Sequence, residues 1–294
     1  MPKKQIALSL IAADFEACPA QAYSYSHLAE LQSANSRKWQ LPPRMGARTF
    51  IQLLLEETKL SKLTLRSPDY DPLGRYAWGN HVSPLAIALS IKKSAYLSHG
   101  TALRVHGLGG HERRIFVNTE QSDKETGDSD LTQEAIHRAF QNQPRQSRLV
   151  YNMSKLQITV INGKNTGDLE VEETIGPAGE NLRVTSLERT LIDIVVRPIY
   201  SGGVQAVLNA YRLARERAST SKMANILQKL DYVYPYHQAI GFYLFAAGYS
   251  PQDQTHFARM GRKYDFYLCN GLKHPAFDRT WKIFYPRGLR HKVS

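Results

Sequence analysis

Two adjacent prolines, Pro42 and Pro43, interrupt the chain between two stretches of helical periodicity, and two short strand-like runs follow the second stretch at once. Proline lacks the backbone donor and its ring collides with the preceding helical turn, so no helix passes through this point. The chain has to turn between Ser36 and Gly46. Upstream, Ile6, Leu8, Leu10, Ile11 and Phe15 recur at spacings that fit one helical face, and Pro19 closes the segment, which predicts a helix over about 4–17. A shorter helix is expected at about 26–34, with Ser26 as its N-cap. From Ala47 the apolar stripe Phe50, Ile51, Leu54, Leu55 and Leu60 starts a third. The runs Lys62–Arg66 and Arg75–Trp78 then read as strands of a hairpin whose intervening loop, Ser67 to Gly74, is too long for a tight turn.

Three helices followed by a two-stranded wing predict a winged helix-turn-helix over residues 1–80. In that arrangement the third helix is the recognition helix, whose leading residues reach base edges in the major groove. Arg44, Arg48, Thr49 and Gln52 fall at its front end or opposite its apolar stripe. Lys62, Arg66 and Arg75 are expected to meet phosphates beside the groove. The arginines and Trp39 of the 36–48 connection lean the same way.

Charge is consistent with a polyanionic partner. The 294 residues carry 38 Lys and Arg against 26 acids, a formal +12. Residues 1–80 hold ten basic and seven acidic side chains, residues 81–249 nineteen and sixteen, and residues 250–294 nine and three. Half of the excess therefore lies in the last 45 residues. Apolar runs near Ile91 and Val195 are broken by Lys92, Lys93 and Arg197, which excludes a spanning helix. Met1 to Ala13 reads as an amphipathic helix rather than a leader, because Asp14 and Glu16 follow and Ala17-Cys18-Pro19 is a poor cleavage site. Two cysteines, Cys18 and Cys269, exclude a disulfide framework and a cysteine zinc site, and a cytoplasmic location fits them best.

The remaining 81–294 are expected to form a larger mixed domain, with a sub-boundary near 218, so the fold class is α+β. Ser83-Pro84 is a helix start, and Ser98 to Gly107 a short capped helix. Arg113–Asn118 and Leu156–Ile161 read as strands, with a polar stretch at Gln121–Asp130 between them. Ser186 caps a helix ended by Pro198; Gly202 and Gly203 open the next, to about Arg217, and Ser219–Leu230 forms another. Tyr264–Leu268 and Trp281–Tyr285 complete the strand-like runs. His99, His106 and His111 are spaced by seven and five, which does not place them on one helical face, so no metal and no cofactor is expected. Glu188, Arg189 and Asp193 are the residues a catalytic reading would choose. Two acids five positions apart lie about 140° apart around a helix, so an internal ion pair is the better reading. The tyrosines from Tyr232 to Tyr243 read as core, although they could stack bases beside Arg259, Arg262, Lys263, Lys273 and Lys282.

Two blocks carry a resemblance: Tyr-Leu-Ser-His-Gly-Thr-Ala-Leu-Arg-Val-His-Gly-Leu at 96–108, followed by Arg114-Ile115-Phe116-Val117, and Val-Thr-Ser-Leu-Glu-Arg-Thr-Leu-Ile-Asp at 184–193, leading into Arg197-Pro198 and Gly202-Gly203. In order and spacing they resemble the AbiEi family of antitoxins and transcriptional regulators of phage-defence systems, over residues 20–220 in outline. The resemblance implies an N-terminal winged helix that binds inverted repeats at its own promoter. It also implies a C-terminal domain that neutralises a toxin similar to a nucleotidyltransferase, and it supplies no catalytic residues. The Trp-containing connection at 36–46 and the extension past 220 depart from the family outline.

The sequence-level expectation is thus a DNA-binding autorepressor and antitoxin, not an enzyme. Two readings compete with it: a nucleic-acid-processing enzyme, and a winged-helix module that binds protein only. The enzyme lacks a P-loop, a GxSxG and an HExxH, and its densest carboxylates, Asp168, Glu170, Glu172 and Glu173, fit a solvated strand edge.

Overall fold

A computed structural model describes residues 3–110, 113–122 and 130–289; His111 and positions 123–129 of the polar stretch lie outside the described residues. The chain opens with helices α1 (Lys3–Glu16), α2 (Tyr25–Asn35) and α3 (Ala47–Glu57) and strands β1 (Ala22–Tyr23), β2 (Leu60–Leu65) and β3 (Leu73–Trp78). Strands β2 and β3 pair antiparallel, and β1 adds to the other edge of β3. The N-cap of α2 is Ser24 rather than Ser26: Ser24 is extended and its hydroxyl accepts from the His27 amide, while Ser26 hydrogen-bonds to that same hydroxyl. Leu60 belongs to β2 and not to the stripe of α3. It still shares one apolar core with Phe50, Leu54, Trp39 and the buried residues of α1.

A second layer follows: α4 (Pro84–Leu89), β4 (Tyr96–Leu97), α5 (His99–Val105), β5 (Arg114–Glu120), α6 (Gln133–Gln141), β6 (Val150–Met153), β7 (Leu156–Gly163), β8 (Val171–Ile175), β9 (Asn181–Thr185) and α7 (Leu187–Val196). The six strands form a mixed sheet in the order β6-β7-β5-β4-β9-β8. β5 runs parallel to β7 and β4 parallel to β9, so the two blocks that carry the resemblance meet at the middle of the sheet. They are tied again where His106 Nε2 meets the Thr185 carbonyl at 2.7 Å. Gly100 is required there: a β-carbon would sit 2.8 Å from the backbone oxygen of Tyr200, in the 3-10 turn Pro198–Ser201.

The rest is helical, with α8 (Val204–Ala214), α9 (Thr220–Leu230), α10 (Tyr236–Ala246) and α11 (Pro251–Ala258), closed by a small sheet of β10 (Phe266–Tyr267), β12 (Ile283–Tyr285) and β11 (Ala276–Asp278). One apolar core runs from Leu103 to Leu289 and includes residues on both sides of position 218. The class is α+β, and no described helix is long and apolar enough to cross a membrane.

The hairpin β2–β3 is shared between layers. Leu60 and Tyr76 face the N-terminal helices, whereas Leu63, Leu65 and Leu73 pack against the central sheet. Arg66 and Asn152 exchange backbone hydrogen bonds of 3.0 and 2.7 Å, which staples the end of β2 to β6.

Candidate nucleic-acid interface

The connection from α2 to α3 is a strut. Trp39 is 1% exposed, stacks on Phe50 with centroids 5.7 Å apart and an interplanar angle of 10°, and donates its indole N–H to Asp14 Oδ2 at 2.7 Å. Lys38 donates to the other oxygen of Asp14 at 2.6 Å, and these two donors hold the carboxyl below its ordinary pKa. The Gln32 amide donates to the Met45 carbonyl at 2.6 Å, closing the far end of the connection. Trp39 is therefore a packing residue, so its place in the 36–48 connection does not count toward DNA contact. Its role is to fix the start of α3 against α1.

Helix α3 buries Phe50, Ile51 and Leu54 and leaves Arg48, Thr49, Gln52 and Glu56 exposed, at the three- and four-residue spacings of one face. These four, with Leu53, border one surface depression. Arg44 stands exposed just before the helix, whose N-cap, Gly46, offers no side-chain cap. Gln52 donates to Glu56 at 2.6 Å, and its side-chain oxygen accepts no hydrogen bond among the described residues. Glu56 repels phosphate, which confines any anion-facing part of the helix to its first half.

The cations of this unit divide into two groups. Lys4, Lys38 and Lys59 pair with Glu57, Asp14 and Glu16 at 2.9, 2.6 and 3.0 Å. Lys3, Arg37, Arg44, Arg48, Lys62 and Arg66 are exposed and form no ion pair among the described residues. Lys62 and Thr64 share the face of β2 that begins at Leu60, and Arg66 follows directly after the strand.

Arg75 does not belong with them. It is 7% exposed and donates Nε to the Ser90 carbonyl at 2.9 Å, Nη2 to Ile91 at 2.9 Å and Nη1 to Gly74 at 2.6 Å. Burial lowers its pKa. The expectation that it meets phosphate is overturned, because its donors satisfy the carbonyls at the end of α4. The loop between the strands also differs from a basic wing tip, since it carries Asp69 and Asp71.

The catalytic-looking residues are internal. Arg189 Nε and Asp193 Oδ1 lie 2.8 Å apart with both side chains buried, and Arg189 Nη1 donates to the Leu169 carbonyl at 2.7 Å. Burial opposes the charge on Arg189, but Asp193, with Tyr96 and Tyr232, together outweighs it and raises its pKa. Glu188 accepts from the Ser219 amide at the start of α9 and lies 3.2 Å from Lys222. Asp168 and Glu170 pair with Arg183 and Lys222, while Glu172 and Glu173 stand exposed on the edge strand β8. His99 is buried against Tyr200, and burial, with the charges of Arg197 and Arg189, pushes it down to about 3. Among the described residues no three His, Cys, Asp or Glu side chains gather to hold a metal.

In the C-terminal part, Tyr236 and Tyr243 lie in the core, as expected. Arg262 is held by the Thr280 carbonyl and the Trp281 ring, Lys263 sits over Tyr264, and Lys282 lies 3.9 Å from Asp265. Arg259 and Lys273 remain exposed. A feature absent from the sequence reading is a cleft of about 710 Å³ to which Arg145, Arg148 and Arg197 contribute. It draws on segments around 145, 200 and 235, and no local pattern announces such a meeting.

No protein-family model matches the chain, and no curated protein matches it. Among solved structures it is similar to the Rv2827c protein from Mycobacterium tuberculosis, with a TM-score of 0.53 at 11% identity, over 95% of this chain and 90% of that one. At that identity the likeness is one of fold.

Proposed function

We propose that residues 1–80 act as a winged helix-turn-helix that binds duplex DNA through the exposed face of α3, and that the chain is a transcriptional autorepressor. The observation that carries this reading is the division of cations: Arg44 and Arg48 flank the start of α3 without an acidic partner among the described residues, beside the hydrogen-bonding Thr49 and Gln52, while Lys4, Lys38 and Lys59 are paired. A guanidinium at that position suits a guanine edge, a contact worth about 1–3 kcal/mol of discrimination. Lys62 on β2 and Arg66 just past its end supply phosphate contacts, and the acidic loop tip stays off the backbone.

The antitoxin part of the reading, in which residues 81–294 neutralise a nucleotidyltransferase-like toxin, rests on the resemblance of the two blocks at 96–108 and 184–193. Those blocks form one packed unit around β4, β9, α5 and α7.

A gel shift on the DNA upstream of the chain's own coding sequence tests the regulator. Salt-sensitive, sequence-selective binding is expected. Arg48→Ala with Thr49→Ala should cost selectivity more than affinity, whereas Lys62→Ala with Arg66→Ala should weaken binding to all sequences and flatten the salt slope by about 2 per bound chain. Equal affinity for operator and random duplex refutes the proposal.

A further inference from the structure

We propose that the cleft between the 143–149 segment, the 3-10 turn and the start of α8 binds a nucleoside polyphosphate. It is a site distinct from α3 and does not depend on the DNA-binding reading. Its volume, about 710 Å³, falls in the range of small-molecule pockets. Among the described residues no aspartate or glutamate lines it, yet Arg145, Arg148 and Arg197 do. All three are exposed and form no ion pair among the described residues, whereas Arg183, Arg189 and Arg215 elsewhere in this half each have a carboxylate partner. Three like charges around one concavity raise its potential and favour a multivalent anion.

Two further features fit a phosphate chain joined to a base. Helix α8 begins in the cleft: its N-cap, Gly203, has φ 86° and no side chain to cap the helix, and Gly203 and Val204 both line the wall. The positive end of an eleven-residue helix thus adds to the arginines. The opposite chemistry is also present, because Phe140, Tyr200, Tyr234 and Tyr236 form an aromatic wall. The Tyr200 hydroxyl accepts from the Ser147 amide at 2.8 Å, which fixes the arginine-bearing segment over the turn. Phe140 and Tyr234 meet edge to face at 5.3 Å. Tyr234 is half-buried, so part of its ring is free to contact a base. Gln146, Asn162 and Asn270 add amides that both donate and accept, as a base edge requires. Inorganic phosphate would use only the arginines and a nucleoside only the aromatic wall; a nucleoside polyphosphate uses both.

Calorimetric titration of the full chain with ATP, GTP, CTP and UTP, with adenosine and inorganic tripolyphosphate as controls, tests this. At least one nucleotide is expected to bind one per chain with a Kd below about 1 mM, and both controls at least about tenfold more weakly. Arg148→Ala and Arg145→Ala alter exposed side chains and should each weaken binding by about tenfold with an unchanged melting temperature, while Arg259→Ala, outside the cleft, should leave it intact. Absence of saturable binding, tripolyphosphate binding as tight as any nucleotide, tighter binding of a single-stranded oligonucleotide than of mononucleotides, or full affinity in both cleft variants overturns the proposal.

Discussion

Arg75→Ala separates a structural arginine from a DNA-facing one. In the folded chain its guanidinium bonds to three carbonyls, of Ser90, Ile91 and Gly74, at 2.9, 2.9 and 2.6 Å. Ser90 is the C-cap of α4, so its carbonyl has no intrahelical partner, and the Ile91 carbonyl follows directly after the helix. Removing a charged donor costs about 1.5–3 kcal/mol per bond in the strongest cases, and each carbonyl left dry about 1–3. Against this stands the relief of no longer burying a guanidinium, a term of several kcal/mol. The net is about 3 kcal/mol of lost stability, or roughly 12–24 °C in melting temperature for an N-terminal unit of about 80 residues. Arg75→Lys should recover about half, because one ammonium cannot fork across two carbonyls. Urea titration gives the stability change, and a gel shift well below the transition should find DNA affinity and salt slope unaltered. A variant within about 0.5 kcal/mol of the parent that nevertheless loses DNA affinity would refute the placement of Arg75.

Other expectations follow from buried groups. Trp39→Ala removes a 1% exposed ring stacked on Phe50 and should cost about 3–5 kcal/mol in urea titration, with loss of DNA binding following unfolding of the N-terminal unit. His99 has its pKa lowered to about 3, so the folded chain keeps it neutral while the unfolded chain protonates it below about 6.5. Its contribution is complete above the unfolded value and is lost as pH falls toward the folded one, reaching about 2 kcal/mol at pH 5. His99→Asn, whose side chain tolerates the left-handed φ of 50°, should flatten the stability profile between pH 6.5 and 4. Arg189→Met strands Asp193 in the core and should cost about 3–5 kcal/mol, whereas Arg189→Met with Asp193→Leu should recover most of it; thermal denaturation of both variants checks this.

Much of the N-terminal unit was legible in the sequence because its signals are local. The proline break at 42–43, the stripe Phe50, Ile51 and Leu54, and the paired strands each act over a few residues, and α3 begins at Ala47 as read. Exposure of Arg44, Arg48, Thr49 and Gln52 also follows from their place opposite that stripe. What escaped was non-local. Arg75 looks the same in sequence as Arg66, and only the packing of the hairpin against α4 sends one inward and leaves the other outside. Trp39 carries no mark of burial, because its partners Asp14 and Phe50 are 25 and 11 positions away. β1 and β4 are two residues long, too short for any alternation to register. Helix α10 is apolar nearly all round, so it shows no stripe. The acidic run at 172–173 is explained by β8 lying at the sheet's edge, where a solvated face costs nothing.

The most direct test of the central claim is site-specific photo-crosslinking in the complex with upstream DNA. A photoreactive side chain at Gln52, on the outer face of α3, should crosslink to bases of the operator in the major groove, while one at Leu213, exposed on α8, should not. Crosslinks from Leu213 with none from Gln52 would contradict the account.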